Sequence, residues 1–195
     1  MRNKRLFFGL LGHVFFFKRP FFSILGGLMR IFWASGACFF IRKAVFDELK
    51  GFDEDFFAHQ EEIDLCWRAQ NEGYKVYYTP LSQIYHLGGA TLEQGSTQKV
   101  FLNFRNSLFM LFKNLPKEAW FSTIFLRMVL DGIAGIRFFF QGKLSYTWAI
   151  LRAHFAFYKY FFYFYHKRKN PMLKQYYSIK SIAYSYFIKN KKVGY

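Results

Sequence analysis

The sequence predicts an α/β unit followed by a helical region, on three observations. Between Ile31 and Gly89, short apolar runs bounded by Gly and Pro alternate with two helical stretches. Beyond Lys99, three long helix-like stretches dense in aromatic residues follow one another. Nine of the twelve acidic residues fall between Asp47 and Glu72, in a 195-residue chain whose formal net charge is +16. The chain thus divides into an apolar, basic segment (1–33), an α/β segment (34–98) and a basic, amphipathic, membrane-associated helical region (99–195).

The first segment imitates a signal peptide, with a basic start and an apolar run from Leu6 to Phe17. His13 interrupts that run, no small-x-small cleavage site precedes Lys18-Arg19-Pro20, and the run is too short to span a bilayer. A segment that lies on a membrane or in a core is expected rather than a cleaved leader. Ile31–Trp33 and Cys38–Ile41 read as short strands around Ser35-Gly36-Ala37, whose small side chains allow close backbone approach. Lys43–Leu49 reads as a helix stopped by Gly51, and Glu61–Glu72 as a second helix with Gly73 as its C′ residue. Lys75–Tyr78 is a strand closed by Pro80, and Ile84–Leu87 a further strand before Gly88-Gly89.

Val100–Leu115, ended by Pro116, is the first of the later helices. Trp120–Phe140 is the second, with Arg127 and Asp131 spaced for a surface ion pair. Leu144–Tyr165 is the third and carries Arg152, His154 and Lys159, charges that a membrane-spanning helix tolerates poorly. From His166 onward the tail is rich in Lys and has no acid.

Composition narrows the class of partner. Aromatics are 24% of the chain, with 29 Phe and 14 Tyr, at a mean hydropathy of zero. Aromatic rings with Lys and Arg populate a membrane interface, so an anionic membrane surface is expected and nucleic acid is not. The two cysteines, Cys38 and Cys66, make no disulfide framework and lack metal-ligand spacing, so both are expected to be buried thiols. The expected location is the cytoplasmic face of a bacterial inner membrane, held peripherally.

The acidic cluster is where chemistry is expected. Glu61, Glu62 and Asp64 open the second helix, where carboxylates also simply offset the helix dipole. Asp53, Glu54 and Asp55 lie just upstream, and crowding of carboxylates raises the pKa of some of them, which suits one to general-base work. His86 ends a strand beside Gly88-Gly89, where α/β folds place ligand groups. His59 and Glu62, three apart, could also share a helical turn and hold a metal.

Residues 31–90 resemble the C-terminal half of the catalytic domain of family 2 glycosyltransferases, nearest to rhamnosyltransferase-like bacterial enzymes of surface-polysaccharide synthesis. The resemblance rests on Gly36-Ala37, Ile41-Arg42-Lys43 and Gly51-Phe52-Asp53-Glu54-Asp55-Phe56-Phe57. It continues through Glu61-Glu62-Ile63-Asp64-Leu65-Cys66-Trp67-Arg68, Gly73-Tyr74, Pro80 and His86-Leu87-Gly88-Gly89. The stretch from Leu102 to Pro116 is similar to the helix that follows in these enzymes.

The resemblance implies a partial GT-A fold and inverting transfer from a nucleotide-diphosphate sugar to a glycan or lipid-linked acceptor. It implies Glu62 as catalytic base, where the family has Asp, with Glu61 as a substitute. It places Asp53, Glu54, Asp64, Arg68, Gly36 and Ala37 in acceptor binding and positioning, and His86 near metal and diphosphate. A divalent metal, Mg or Mn, is expected of the complete enzyme. Nothing before Trp33 resembles the family's nucleotide-binding half with its Asp-x-Asp motif. The chain is therefore expected to be a truncated form, inactive without a donor-binding half. A non-catalytic membrane-surface binding protein on a degenerate glycosyltransferase scaffold is the alternative.

Overall fold

The computed structural model describes residues 29–79 and 95–169. Within them the protein is mostly helical with one small two-stranded sheet. Strand β1 (Met29–Ile31) pairs antiparallel with β2 (Val76–Tyr78), Arg30 facing Tyr77 in the register. The β1 strand stops before the Trp33 expected from the sequence, and the stretch expected as a strand from Cys38 to Ile41 is irregular. Pairing supplies the reason: β1 has a partner only where Val76–Tyr78 runs beside it, and no strand runs beside Cys38–Ile41 among the described residues. The strand expected at Ile84–Leu87 lies outside the described residues.

Helix α1 (Lys43–Glu48) ends in two successive left-handed residues, Lys50 at φ 61° and Gly51 at φ 66°. The Gly51 amide returns to the Phe46 carbonyl at 2.8 Å, and a methyl group at Gly51 would sit 3.1 Å from the Phe46 ring. Glycine is required there on both counts. A short 3₁₀ turn (Glu54–Phe56) follows, with Asp53 as its cap. Helix α2 (Glu61–Asn71) carries Glu61, Glu62 and Asp64 in its first turn and Arg68 in its last, the charge order that the helix dipole favours.

Helix α3 (Thr97–Asn114) starts at Ser96, whose hydroxyl accepts from the Lys99 amide, and ends before Pro116. Helix α4 (Trp120–Phe140) turns at Gly142 into α5 (Leu144–Lys159), which packs back on both α4 and α3. The stretch expected as one helix from Leu144 to Tyr165 is interrupted at Tyr160, after which α6 (Phe161–Lys167) begins. The turn at Tyr160 brings Phe164 onto Phe109, ring centroids 3.9 Å apart, and Phe161 onto Phe112 at 4.7 Å. With Phe56, Trp67, Leu108 and Leu115 these rings form a core shared by α2, α3, α5 and α6. Burying each such ring contributes on the order of 2 kcal/mol.

Two expectations about polar residues are corrected. Arg127 and Asp131 do pair, at 2.6 Å, but Asp131 is 0% exposed and also meets His154 Nε2 at 3.3 Å. The pair is internal because α5 covers that face of α4. Of the cysteines, Cys66 is buried as expected, whereas Cys38 is exposed in the irregular stretch after Gly36.

Candidate functional site

Three chain segments converge on an open pocket of about 510 Å³. The loop after β1 contributes Gly36, the loop after α1 contributes Phe52, Asp53, Glu54 and Phe57, and the first turn of α2 contributes Glu61 and Glu62. Gly36, Asp53, Glu54, Glu61 and Glu62, all nominated from sequence, thus meet in one place. A methyl group on Gly36 would touch the Glu62 side chain at 3.7 Å, so the carboxylate lies directly over this glycine.

The Glu62 carboxyl holds its proton more tightly than an ordinary glutamate. Burial, then the neighbouring Glu61 charge, push its pKa above the ordinary glutamate value. One oxygen each of Glu61 and Glu62 (Oε2) is buried without a hydrogen-bond partner. Such atoms cost free energy in an empty site and gain it when a donor arrives.

Crowding is expected to raise the pKa of some of these carboxylates, and Glu62 follows that expectation while Asp53 goes the other way. Burial alone would raise its pKa, but Lys113 Nζ at 2.6 Å and Lys167 Nζ at 2.9 Å outweigh burial and hold the carboxyl well below the usual carboxylate range. Lys167 also bonds Asp55, and its own pKa is raised by these two carboxylates although burial acts the other way. Asp53 is thus a fixed anion, whereas Glu62 is the group with proton affinity.

Asp64 and Arg68 stand behind the pocket rather than in it. Asp64 is 0% exposed and accepts from Arg68 Nε at 2.7 Å, Lys113 Nζ at 2.9 Å and Asn114 Nδ2 at 2.8 Å. Arg68 reaches on to the carbonyls of Leu49 and Gly51, tying α2 to the end of α1. Both are positioned to hold the scaffold. Ala37 sits half-buried beside Gly36, and His86 lies outside the described residues.

The segment that presents the two glutamates is strained. Phe57, His59 and Gln60 all have positive φ, at 59°, 71° and 75°. For residues with a Cβ each costs on the order of 1 kcal/mol, so outside contacts must hold them. Asn106, 0% exposed on α3, does so: its Nδ2 donates to the carbonyls of Phe56, Ala58 and His59 at 2.8, 2.8 and 2.9 Å. Arg105 Nε donates to Asn106 Oδ1 at 2.8 Å, which fixes which way the amide points. His59 therefore precedes α2 and does not share a helical turn with Glu62. Among the described residues no three His, Cys, Asp or Glu side chains group to hold a metal ion. No step is assigned to a metal from these residues.

Asn106, Arg105, Lys113 and Lys167 were not nominated from sequence, and neither were Phe52 and Phe57. The aromatics carried a signal, since they sit inside the acidic motif and Phe57 is 73% exposed.

Comparison with known proteins agrees with this architecture. A family profile described as glycosyl transferase family group 2 matches residues 5–166. The chain is 35% identical over 54 residues to the N-acetylglucosaminyl-diphospho-decaprenol L-rhamnosyltransferase of Mycobacterium tuberculosis, covering 28% of this chain and 18% of that one. It is 27% identical over 119 residues to the low-salt glycan biosynthesis hexosyltransferase Agl10 of Haloferax volcanii, covering 58% of this chain and 38% of that one. It is 33% identical over 54 residues to the rhamnosyltransferase WbbL of Escherichia coli, covering 28% and 20%. The matched stretches span well under half of each relative, and no solved structure is matched. Because the profile covers the described helices and the pocket together, the chain belongs to the glycosyl transferase family group 2.

Proposed function

We propose that this chain carries the acceptor-binding and base-bearing part of a GT-A glycosyltransferase acting in glycan synthesis. The donor is a nucleotide-diphosphate sugar and the acceptor a glycan or a lipid-linked saccharide. The observation that carries the reading is Glu62: a half-buried carboxylate with raised proton affinity, a buried oxygen with no hydrogen-bond partner, and a place over Gly36 in an open pocket. The two rhamnosyltransferases and the hexosyltransferase among the relatives support the reaction class.

In this reading the acceptor hydroxyl enters the open pocket beside Glu62. The Glu62 carboxylate takes the hydroxyl proton as the oxygen attacks the anomeric carbon. The new C–O bond forms as the bond from the sugar to the diphosphate breaks, the electron pair leaving with the diphosphate, and the configuration inverts. Glu61 raises the basicity of Glu62 by its charge. Asp53, held as an anion, and Glu54 accept hydrogen bonds from other hydroxyls of the acceptor, while Phe52 and Phe57 offer apolar faces to a sugar ring. Asp64 and Arg68 position the helix, and a divalent ion belongs to the proposal for the complete enzyme.

The test is transfer from a radiolabelled nucleotide-diphosphate sugar to N-acetylglucosaminyl-diphospho-polyprenol by protein containing this segment. Glu62→Gln is expected to lower turnover by about 10²–10⁴-fold. Near-normal turnover in that variant would overturn the assignment. Acceptor binding with no turnover by the unaltered protein would instead favour the non-catalytic scaffold.

A further inference from the structure

Helices α4 and α5 present apolar side chains outward as regularly as inward. On α4 the exposed positions Phe125, Leu126, Val129, Leu130, Ile133 and Ile136 follow helical spacing along one face. On α5, Leu144, Trp148, Leu151, Phe155 and Tyr158 repeat every three or four residues and are 45–64% exposed. The inward stripes, Ala134 on α4 and Ala149, Ile150 and Ala153 on α5, are already satisfied against α3. On helix α6 Phe162 is also 74% exposed. Apolar side chains ordered in this way along two helices mark a contact surface rather than scattered exposed residues.

The charges around this surface decide what covers it. From residue 119 to residue 169 the sequence holds one acid, Asp131, and that side chain is 0% exposed and locked to Arg127. The exposed ionic groups on these helices are cationic, among them Lys143, Arg152 and Lys159. A second copy of the chain would bring like charges face to face. A bilayer containing anionic lipid offers an apolar interior to the rings and negative headgroups to the bases. None of the helices among the described residues is long and apolar enough to cross a membrane, so the surface lies along the bilayer rather than through it.

We propose that the outer face of α4, α5 and α6 seats the protein in the surface of an anionic membrane, and that α6 places the pocket at that surface. Helix α6 links the two. Its Lys167 bonds Asp53 of the pocket, while Phe162 of the same helix is 74% exposed. The pocket thus stands one helix away from the lipid, where a sugar on a lipid-linked acceptor would emerge. The seating stands by itself; the placement of the pocket rests on its reading as an acceptor site.

The test uses the full chain with vesicles of phosphatidylcholine alone, or containing about one third phosphatidylglycerol. The protein is expected to float with the anionic vesicles and to lose much of that binding in high salt. A vesicle-induced blue shift of tryptophan emission is expected, and Trp148→Phe should remove the largest part of it, because Trp148 is 58% exposed whereas Trp33 and Trp120 are partly buried and Trp67 is 1% exposed. Leu130→Glu with Ile133→Glu is expected to weaken vesicle partition by about tenfold or more with the circular dichroism spectrum unchanged. Three results would overturn the proposal. They are no flotation with either vesicle, a vesicle-induced shift that Trp148→Phe leaves unchanged, and a stable dimer in solution that the two Glu substitutions dissolve. Flotation needs neither donor nor acceptor. Protein that transfers sugar without floating therefore defeats the seating alone, and protein that floats without transferring defeats the pocket's reading alone.

Discussion

Lys167 donates to Asp53 at 2.9 Å across 114 positions of the chain, so the last described helix is bonded to a carboxylate that lines the pocket. Lys113, on α3, reaches the same carboxylate at 2.6 Å and Asp64 at 2.9 Å. The two lysines hold the loop after α1 against the helical part of the protein. They also separate the roles of the pocket carboxylates by fixing Asp53 as an anion.

Removing Lys113 leaves two acids, Asp53 and Asp64, without their shared cation in a site where all three side chains are 0–11% exposed. Lys113→Met is expected to destabilise the fold by about 3–5 kcal/mol. Lys167 is 30% exposed, so Lys167→Met is expected to cost only about 1 kcal/mol. Urea titrations of the two variants check the order, and equal losses would remove Lys113 from the centre of the network.

The depressed pKa of Asp53 sets an acid limit. Its folded-state pKa lies below the unfolded value, so its contribution is present above about pH 4 and is lost as pH falls through the folded value. Asp53→Asn is expected to reduce stability at pH 7 and to flatten the decline of stability below about pH 4. Thermal unfolding across that range measures both effects.

Glu62 has the opposite sign. Its folded-state pKa is raised, so folding is favoured while it is protonated and the advantage disappears as pH rises through the folded value. Glu62→Gln is therefore expected to raise the unfolding midpoint at pH 7 and to have little effect near pH 4, although it lowers turnover. In the unaltered enzyme the acid limb of the rate profile should fall above the ordinary glutamate range. A midpoint that does not rise at pH 7 would mean that the carboxylate is better solvated than its burial indicates.

Asn106 is the sharpest test of the strained segment. Asn106→Asp keeps the size but replaces a donor with an oxygen facing three carbonyls. A loss of about 2–3 kcal/mol is expected, with faster hydrogen exchange at Phe57–Glu62 than at α3. Uniform exchange across both segments would show that the loop holds its conformation without the amide.

Gly51→Ala is expected to cost about 1–2 kcal/mol, because an alanine there must adopt φ 66° and also press on the Phe46 ring at 3.1 Å. Gly73→Ala, at φ 88° with nothing within 4 Å, meets only the conformational term and should cost less. Thermal midpoints of the pair separate strain from contact.

The local elements and the neighbourhood of the acidic pocket were legible in the residues. Ile63, Leu65, Cys66 and Trp67 with Gly73 beyond them marked α2, and Trp120–Phe140 is a helix over the whole stretch expected, because periodicity and end signals act within a turn or two. The motif from Gly51 to Arg68 singles out Asp53, Glu54, Glu61 and Glu62, and the family membership agrees with it. Tertiary structure alone decided which residues act on which. Strand β1 is set by a partner at Val76–Tyr78, and Asp131 became internal when α5 closed over it. The Asp53 carboxyl dropped rather than rose in pKa because lysines from α3 and α6 fold onto it, and the turn before Glu61 is held by an asparagine nearly fifty residues away. Contacts at such separations leave no period or spacing in the chain, since each depends on several helices arriving together.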